Sequence, residues 1–571
     1  MKILPLMRAD PAGSARNFFF NDMSTPPTDN FCYDAPMTQD EAVAILKTGA
    51  NVFLTGEPGS GKTHTVNAFV AWLRDCGIEP SVTASTGIAA THIGGMTIHS
   101  WSGIGVRNSL NDYDLDQITQ NERVVKRVRY AHTLIIDEIS MLSAATFGMV
   151  DRVCRAIRTG ETPFGGLQVV VVGDFFQLPP IQRREPGMRQ TEMSFGQDDE
   201  DVSVFACGSR AWRELNPIVC YLSEQHRQED GAFLDILSAI RRDEVSREHK
   251  ALLDTRRVEA KSVDITHLYS HNADVDRIND IELGKIKGDS RAFLMTSTGS
   301  QGLIMALKRG CLSPETLSLK IGARVMCTKN DLMGKYVNGT IGTVKGFVKD
   351  SGCPIVETKD KKTLVIDPVE WAISDGGHVL AKIAQIPLRL AWAITVHKSQ
   401  GMSLDAAHMD LSSAFEYGQG YVAISRVRTL AGLSLGGINA RALEVHPEIS
   451  EKDVEFRSAS ARAQAAFARM EAGELATLQE NFVRACGGRI ATKTELKVRA
   501  KEKEKKATTL ASMREKFPNA YRPWTKDEDA DLVDRFNSDE RQSYIAQKLG
   551  RKPGAIHMRL VKLGLIEVEE V

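Results

Sequence analysis

"FLTGEPGSGKTHTV", Phe53 to Val66, decides the fold of this 571-residue chain. It holds Gly56-x-x-x-x-Gly61-Lys62-Thr63 between the apolar run "NVFLTG" and a helical stretch with Val66, Phe69, Val70 and Leu73 on one face. Gly56, Gly59 and Gly61 let the backbone turn tightly, so that its N–H groups can face phosphate oxygens at a helix N-terminus. Lys62 offers a cation to the β- and γ-phosphates, and the Thr63 hydroxyl suits Mg²⁺. The run Gly56, Glu57, Pro58, Gly59, Ser60, Gly61, Lys62, Thr63 and His64 is therefore an expected ATP-binding loop, with ATP and Mg²⁺ as cofactors.

Outward from this loop, apolar strand runs alternate with amphipathic helices. "SVTAS", "TLIID" and "LQVVVVGD" read as further strands, and Ser143 to Arg158 as a helix facing inward through Phe147, Val150, Val153, Cys154 and Ile157. The alternation predicts a doubly wound α/β domain with ligands at the strand C-termini. "LIIDEIS" sets Asp137 and Glu138 at such an end, the first suited to holding Mg²⁺ and the second to orienting or deprotonating a water. "VVGDFFQLPP" sets Gln177 at another, either as a γ-phosphate sensor or as part of a polar turn closed by Pro179 and Pro180.

A second α/β pattern begins near "DITHLYSHNADVDRIN" and ends with "GYVAISRV"; between its halves, about 312–388, short strands and Gly, Asn and Asp turns predict a β-rich insertion. Exposed arginine is usually a solubilising residue. With two facing α/β domains, however, Arg227 in "EQHRQ" and Arg426 in "AISRVR" could reach ATP held by the first and stabilise transition-state charge.

Composition narrows the class without naming a partner. The chain is 42% hydrophobic and 25% charged, as a globular protein should be, and 72 Lys plus Arg nearly balance 73 Asp plus Glu. A nucleic-acid partner cannot be argued from that balance. Nine scattered cysteines without zinc spacing fit reduced thiols in a cytoplasmic protein, and no apolar run is long enough for a membrane. Residues 1–36 read as a flexible tail, 441–520 as a helical charged linker, and 194–203 as an unassigned acidic loop.

The last 51 residues, 521–571, read as three short helices. Thr525 and Glu528 form a capping box, Trp524, Leu532 and Phe536 one side of a small core, and Arg551, Lys552, His557, Arg559 and Lys562 a basic face on the third helix. That predicts a helix-turn-helix unit resembling Myb/SANT-type modules, touching duplex DNA or docking a protein.

In order along the chain stand "TGEPGSGKT", "TASTGIAA", "GGMTIHSWSGIG", "IIDEISML", "GDFFQLPP", "EQHRQ", "ITVHKSQGMSLD" and "GQGYVAISRVR". This set is similar to that of superfamily I helicases and, within them, resembles the petite-integration-frequency (PIF) family, relatives of the RecD-type enzymes. The likeness covers about 37–437. It implies two RecA-like domains, 37–220 and 221–440, the first with a strand-separating wedge near 102–125 and the second with a small β-barrel. It implies an ATP-dependent DNA helicase in replication, repair or recombination, moving 5′ to 3′ on single-stranded DNA and opening duplexes at single-strand/double-strand junctions. By position, Gln39 matches the adenine-reading glutamine, and Lys62, Thr63, Asp137, Glu138, Gln177, Arg227 and Arg426 match the ATPase set. Thr86, His99, His397, Lys398, Ser399 and Gln400 match elements that touch DNA; Ser85 and Trp101 add a hydroxyl and an aromatic face suited to gripping it, and Trp101 serves equally well as core. Glu57 brings a carboxylate into the phosphate loop and is expected to point outward. The rival reading is an ATP-switched DNA-binding regulator that does not translocate; the second motor domain argues against it, since a switch needs one phosphate-loop domain only.

Overall fold

Six strands, β1 (Val52–Gly56), β2 (Ser81–Ala84), β3 (Met96–Thr97), β4 (Thr133–Asp137), β5 (Gln168–Val172) and β6 (Ile218–Leu222), form one parallel sheet in the order β3-β2-β4-β5-β1-β6. β1 and β5 are buried along their whole length, because helices cover both faces of a parallel sheet. The order sets the C-terminal ends of β4, β5 and β1 side by side. The acidic pair, the Gly173–Gln177 turn and the phosphate loop thus meet at one sheet edge. This computed structural model describes residues 37–571 except 94, 106, 181–202, 223–229, 259–264, 270–274, 332–334, 350, 359, 376–377, 491–494, 496–516, 518, 520–523, 539, 564 and 567–571. The expected tail, nearly all of the acidic loop and Arg227 lie outside the described residues.

The helix after the phosphate loop, Lys62–Asp75, buries Val66, Phe69, Val70 and Leu73 against the sheet. Ser143 caps Ala144–Arg158, which buries Phe147, Val150, Val153, Cys154 and Ile157. The segment expected to hold a wedge is folded into two helices, Asp112–Gln120 and Glu122–Tyr130. Ile118, Val124 and Val128 anchor them in the first domain's core, while Tyr113 and Tyr130 stand exposed.

A second parallel sheet is made of β7 (Thr266–Tyr269), β8 (Ala393–Thr395), β9 (Ala407–Leu411) and β10 (Leu433–Ile438), in the order β8-β7-β9-β10. Between β7 and β8 lie three antiparallel sheets. The largest has five strands, Thr363–Val365, Pro354–Thr358, Ile341–Phe347, Arg324–Cys327 and Leu388–Leu390. The insertion's strands begin at Arg291, not near 312. Arg291–Leu294 and Thr296–Gly299 are mostly exposed and carry no apolar alternation, so periodicity does not announce them.

The expected linker is a correction as well. Its first part forms helices Pro447–Arg469 and Ala472–Ala485, which return to the first sheet. Ala463, Phe482 and Val483 enter the cluster of Phe69, Leu73 and Val170. A Cβ on Gly49 would lie 2.3 Å from the Phe482 ring, so backbone and ring are in direct contact. Ser460 Oγ accepts from Tyr221 N at 3.0 Å, and Gln479 donates to Ala44 O at 3.1 Å. The compact unit accordingly runs to Arg489. These helices bury only Ile449, Phe456, Ser460, Ala463, Phe482 and Val483 among their described residues, and a composition rich in Ala, Glu and Arg hides that contact.

The remaining unit, from Ile490, holds helices Lys526–Asn537, Gln542–Lys548 and Pro553–Lys562. Leu532, Ile545, Ala546, Leu549, Ile556 and Leu560 form its core, with Trp524 and Phe536 packed against them. Thr525 and Glu528 make the expected capping box. No described helix is long and apolar enough to cross a membrane.

Candidate functional site

The phosphate loop closes on itself. Lys62 Nζ donates to Gly56 O at 2.7 Å and Glu57 O at 3.0 Å, so the ammonium sits inside the concavity of the loop. Gly61, the N-cap of Lys62–Asp75, has φ +87°, and a Cβ there would meet Gln39 Nε2 at 2.2 Å. Only glycine meets both conditions. Gln39 itself donates to Ser60 O at 3.4 Å, tying the first helix of the domain to the loop. Ser60 Oγ is buried without a hydrogen-bond partner among the described residues. Thr63 and His64 are exposed at the helix start, beside Pro58 and Gly59 at intermediate exposure.

β4 and β5 bring the remaining ATPase candidates to this loop. Asp137 Oδ1 accepts from Glu138 N at 2.8 Å, and Glu138 is held at φ +53°. Burial raises both carboxyls; for Glu138 the neighbouring Asp137 adds to the rise and brings it up to about 7, against Arg426, Lys62 and a Gln400 hydrogen bond. Burial also lowers the Lys62 amine, while Asp174 pulls the other way. Gly173 lets the next turn pass close by, since a Cβ there would lie 2.9 Å from Ile139 N. That turn carries Gln177, which is 8% exposed.

The second domain completes the cleft. Gln400 Nε2 donates to Glu138 Oε2 at 3.0 Å and to Gln177 Oε1 at 3.2 Å. Arg426 is 3% exposed; its Nε donates to Val422 O at 2.8 Å, and its Nη1 lies 3.4 Å from Ser399 O. From that place it acts electrostatically on Glu138. Glu57 does not point out to solvent: its Oε1 accepts from Ser238 Oγ at 3.3 Å, on the helix Gly231–Arg241. A loop carboxylate thus faces the second half of the cleft.

The donor set fits a nucleotide with its cation. An orphaned buried hydroxyl, a ring of N–H groups at a helix start and one lysine suit the phosphates. Among the described residues no cluster of three His, Cys, Asp or Glu side chains could hold a metal. A hard cation here would rest on Thr63, Asp137 and phosphate oxygens, as Mg²⁺ does in nucleotide sites.

Sequence reading missed Arg241. It is 2% exposed at the end of Gly231–Arg241, and its Nη1 donates to both Asp174 carboxylate oxygens and to Tyr421 Oη, each at 2.8 Å. Its Nη2 donates to Tyr221 Oη at 2.6 Å, and its guanidinium carbon lies 4.2 Å from the centre of the Phe176 ring. "IRRDEV" looks like an exposed helix end, and its neighbour Arg242 is one, paired with Glu244. Nothing local distinguishes the two arginines.

The expected DNA contacts divide. Thr86 caps Gly87–His92 at intermediate exposure, His99 is half-buried with its imidazole lowered by burial, and Lys398 is half-buried and lowered by the same cause. Four side chains turn inward instead. Ser85 Oγ donates to Glu138 O at 2.7 Å, Trp101 is 2% exposed in the core, Ser399 Oγ donates to Val396 O at 2.7 Å, and Gln400 bonds Glu138 and Gln177. A motif that lies along both ATP and DNA sites cannot tell from spacing which way each side chain turns. His397 opens the turn His397–Ser399, and its side chain lies outside the described atoms.

In the C-terminal unit two of the five residues of the expected basic face, Arg551 and Arg559, are spent internally, while His557 is exposed. Arg551, 2% exposed, pairs with Glu528 at 2.8 Å and stacks 4.1 Å from the centre of the Trp524 ring. Arg559 pairs with Asp529 at 2.5 Å and faces the same ring. Both were expected to reach DNA; both hold the first helix to the third instead. Lys552 has intermediate exposure.

With this geometry in place, three comparisons agree. A family model described as PIF1-like helicase matches residues 38–251. The ATP-dependent DNA helicase Pif1 of Psychrobacter sp. is 38% identical over 543 residues, which cover 85% of this chain and 80% of that protein. The crystal structure of Bacteroides sp Pif1 in complex with ADP-AlF4 is similar with a TM-score of 0.64 at 29% identity, over 74% of this chain and 97% of that one. The Bacteroides Pif1 helicase in complex with ADP-AlF3 and ssDNA gives a TM-score of 0.52 at 28% identity, over 75% and 99%.

Proposed function

This chain belongs to the PIF1-like helicase family, and from that premise we infer how it works as an ATP-dependent DNA helicase. ATP sits in the loop Gly56–Thr63 with Gln39 against its base, and Lys62 leaves Gly56 O and Glu57 O to meet the β- and γ-phosphates. Thr63 and Asp137 would hold Mg²⁺, which when bound would supply positive charge to the phosphate oxygens. Glu138, poised near neutrality, orients the attacking water and takes its proton. Gln177 reports the γ-phosphate, and Arg426, with Arg227, stabilises the transferred charge from the second domain.

One observation carries this reading: a single side chain of the second domain, Gln400, bonds Glu138 and Gln177 of the first. Loss of the γ-phosphate would alter that bridge, so hydrolysis and domain movement are linked. Beside it, Thr86, His99 and Lys398 are the groups left to grip the phosphates of single-stranded DNA, without reading base sequence. We assign 5′-to-3′ movement from the ordered motif set, the family's barrel to the five-stranded antiparallel sheet, and its wedge to the helices bearing Tyr113 and Tyr130. The C-terminal three-helix unit serves as a recruiting module; with Arg551 and Arg559 engaged internally, protein docking gains over duplex DNA binding.

Matched duplexes carrying either a 5′ or a 3′ single-stranded tail test the function with ATP and Mg²⁺. The expected result is separation of the 5′-tailed duplex alone. Separation from the 3′ tail would overturn the polarity, and DNA-dependent ATP turnover with neither duplex opened would favour the non-translocating switch.

A further inference from the structure

Arg241 is a buried charge that the mechanism above leaves unused. Taking a guanidinium out of water costs several kcal/mol, and such a pair is often no more stabilising than apolar packing of the same shape. Its Nε has no hydrogen-bond partner among the described residues. The arginine nevertheless gathers partners from three separate elements: Asp174 after β5, Tyr221 in β6, and Tyr421 in the helix Gln419–Ile424 of the second domain.

The bonds beyond Asp174 lead to the reacting centre. Asp174 O accepts from Gln177 N at 3.0 Å, and Asp174 Oδ1 accepts from Phe176 N at 3.2 Å. Arg241 covers the other side of that turn by lying on the Phe176 ring. Gln177 then meets Gln400, and Gln400 meets Glu138. The guanidinium therefore touches no atom expected to react, yet the turn bearing Gln177 is pinned to it at both Asp174 and Phe176. Arg241 and Tyr421 both come from the domain that must close, whereas Asp174 follows β5 of the first sheet, so the clamp is complete only when that domain is seated. Asp453, from the returning helix Pro447–Arg469, lies 3.7 Å from Arg241 and accepts from Tyr221 Oη at 3.0 Å, which joins the same hub to that helix.

We propose that Arg241 is a positioning residue for ATP hydrolysis: by clamping Asp174 across the domain boundary it holds Gln177 in register with Glu138 when the second domain closes. The proposal rests on the roles given above to Gln177 and Glu138. Displacing a reacting constellation by about 1 Å costs on the order of 100-fold in rate while ground-state binding survives.

The test uses the full chain with saturating single-stranded DNA. Arg241→Met, Arg241→Lys and Tyr421→Phe are compared with wild type for ADP affinity, for affinity toward ADP with aluminium fluoride, and for kcat and KM of ATP hydrolysis. For Arg241→Met the expected result is ADP affinity and KM within about 2-fold, with kcat and aluminium-fluoride affinity reduced about 100-fold. Arg241→Lys, which keeps a charge on Asp174, should recover part of both. Should Arg241→Met fail to fold, Tyr421→Phe removes one acceptor and leaves the ion pair; it should lower kcat with an unchanged Tm. A folded Arg241→Met, or failing that Tyr421→Phe, with wild-type kcat overturns the proposal, as does an equal loss of ADP and transition-state-analogue affinity. Glu138→Gln runs alongside: if it hydrolyses ATP normally, the reading of the acidic pair has failed, whatever Arg241 shows.

Discussion

Gln400 Nε2 lies 3.0 Å from Glu138 Oε2, joining residues 262 positions apart in the chain. One belongs to the loop after β8 and the other to the end of β4, so this hydrogen bond exists only when the two domains face each other. It is the shortest description of how the ATP cleft is made from two halves.

Removing that bridge should uncouple the halves without emptying the loop. Gln400→Ala is expected to lower DNA-stimulated kcat about 10- to 100-fold, the worth of roughly 1.5–3 kcal/mol in hydrogen bonds to a charged group. KM for ATP should stay near wild type. Steady-state ATPase assays with and without single-stranded DNA check this, and a change in KM alone would argue against it.

Glu138→Gln keeps the shape and the Gln400 contact while removing the base. Turnover should fall about 10²- to 10⁴-fold with nucleotide binding retained. Equilibrium binding of a fluorescent ATP analogue beside single-turnover hydrolysis separates the two effects.

His99 gives a pH dependence whose sign follows from its environment. Burial holds its imidazole below the ordinary value of 6.5, so the native state refuses a proton that the unfolded chain accepts. Its penalty is absent well above 6.5 and grows as pH falls through that value. The Tm difference between His99→Asn and wild type should therefore shift in favour of the variant on going from pH 8 to pH 5.5. Parallel melting curves at the two pH values would refute this if the difference stayed constant.

Helix Ala472–Ala485 is part of the motor and not a tether. Phe482→Ala should cost about 3–5 kcal/mol, the range for emptying a buried aromatic site. A chain ending at Arg489 should keep ATP turnover, and one ending at His446 should lose it together with a cooperative melt. Thermal denaturation and ATPase assays on the two truncations decide it.

In the last unit, Arg551→Ala should leave Glu528 without its cation and the Trp524 ring without its guanidinium, at a cost of about 3 kcal/mol to that unit alone. ATPase activity should not change. Limited proteolysis should then cut first within 517–566, and loss of turnover would mean that the unit supports the motor.

The phosphate loop, the acidic pair and the strand ends were legible in the residues because their geometry is local. A glycine at positive φ, an apolar run and a polar residue after it fix which atoms sit at the end of a strand, whatever lies elsewhere. The direction of individual polar side chains was not legible. Ser85, Trp101, Ser399 and Gln400 stand in stretches that pass both DNA and ATP elements, and their burial depends on what the facing domain supplies. Arg241 and Arg551 show the same limit for charge: each is indistinguishable in sequence from a less buried neighbour, and each became an internal strut once a distant carboxylate and aromatic rings closed around it. The sequence alone determined two α/β domains, an ATP site and the family; only tertiary packing decided which arginines are free, where the compact motor ends, and which glutamine bridges its halves. Those outcomes rest on pairs of side chains far apart in the chain, and no periodicity or spacing encodes them.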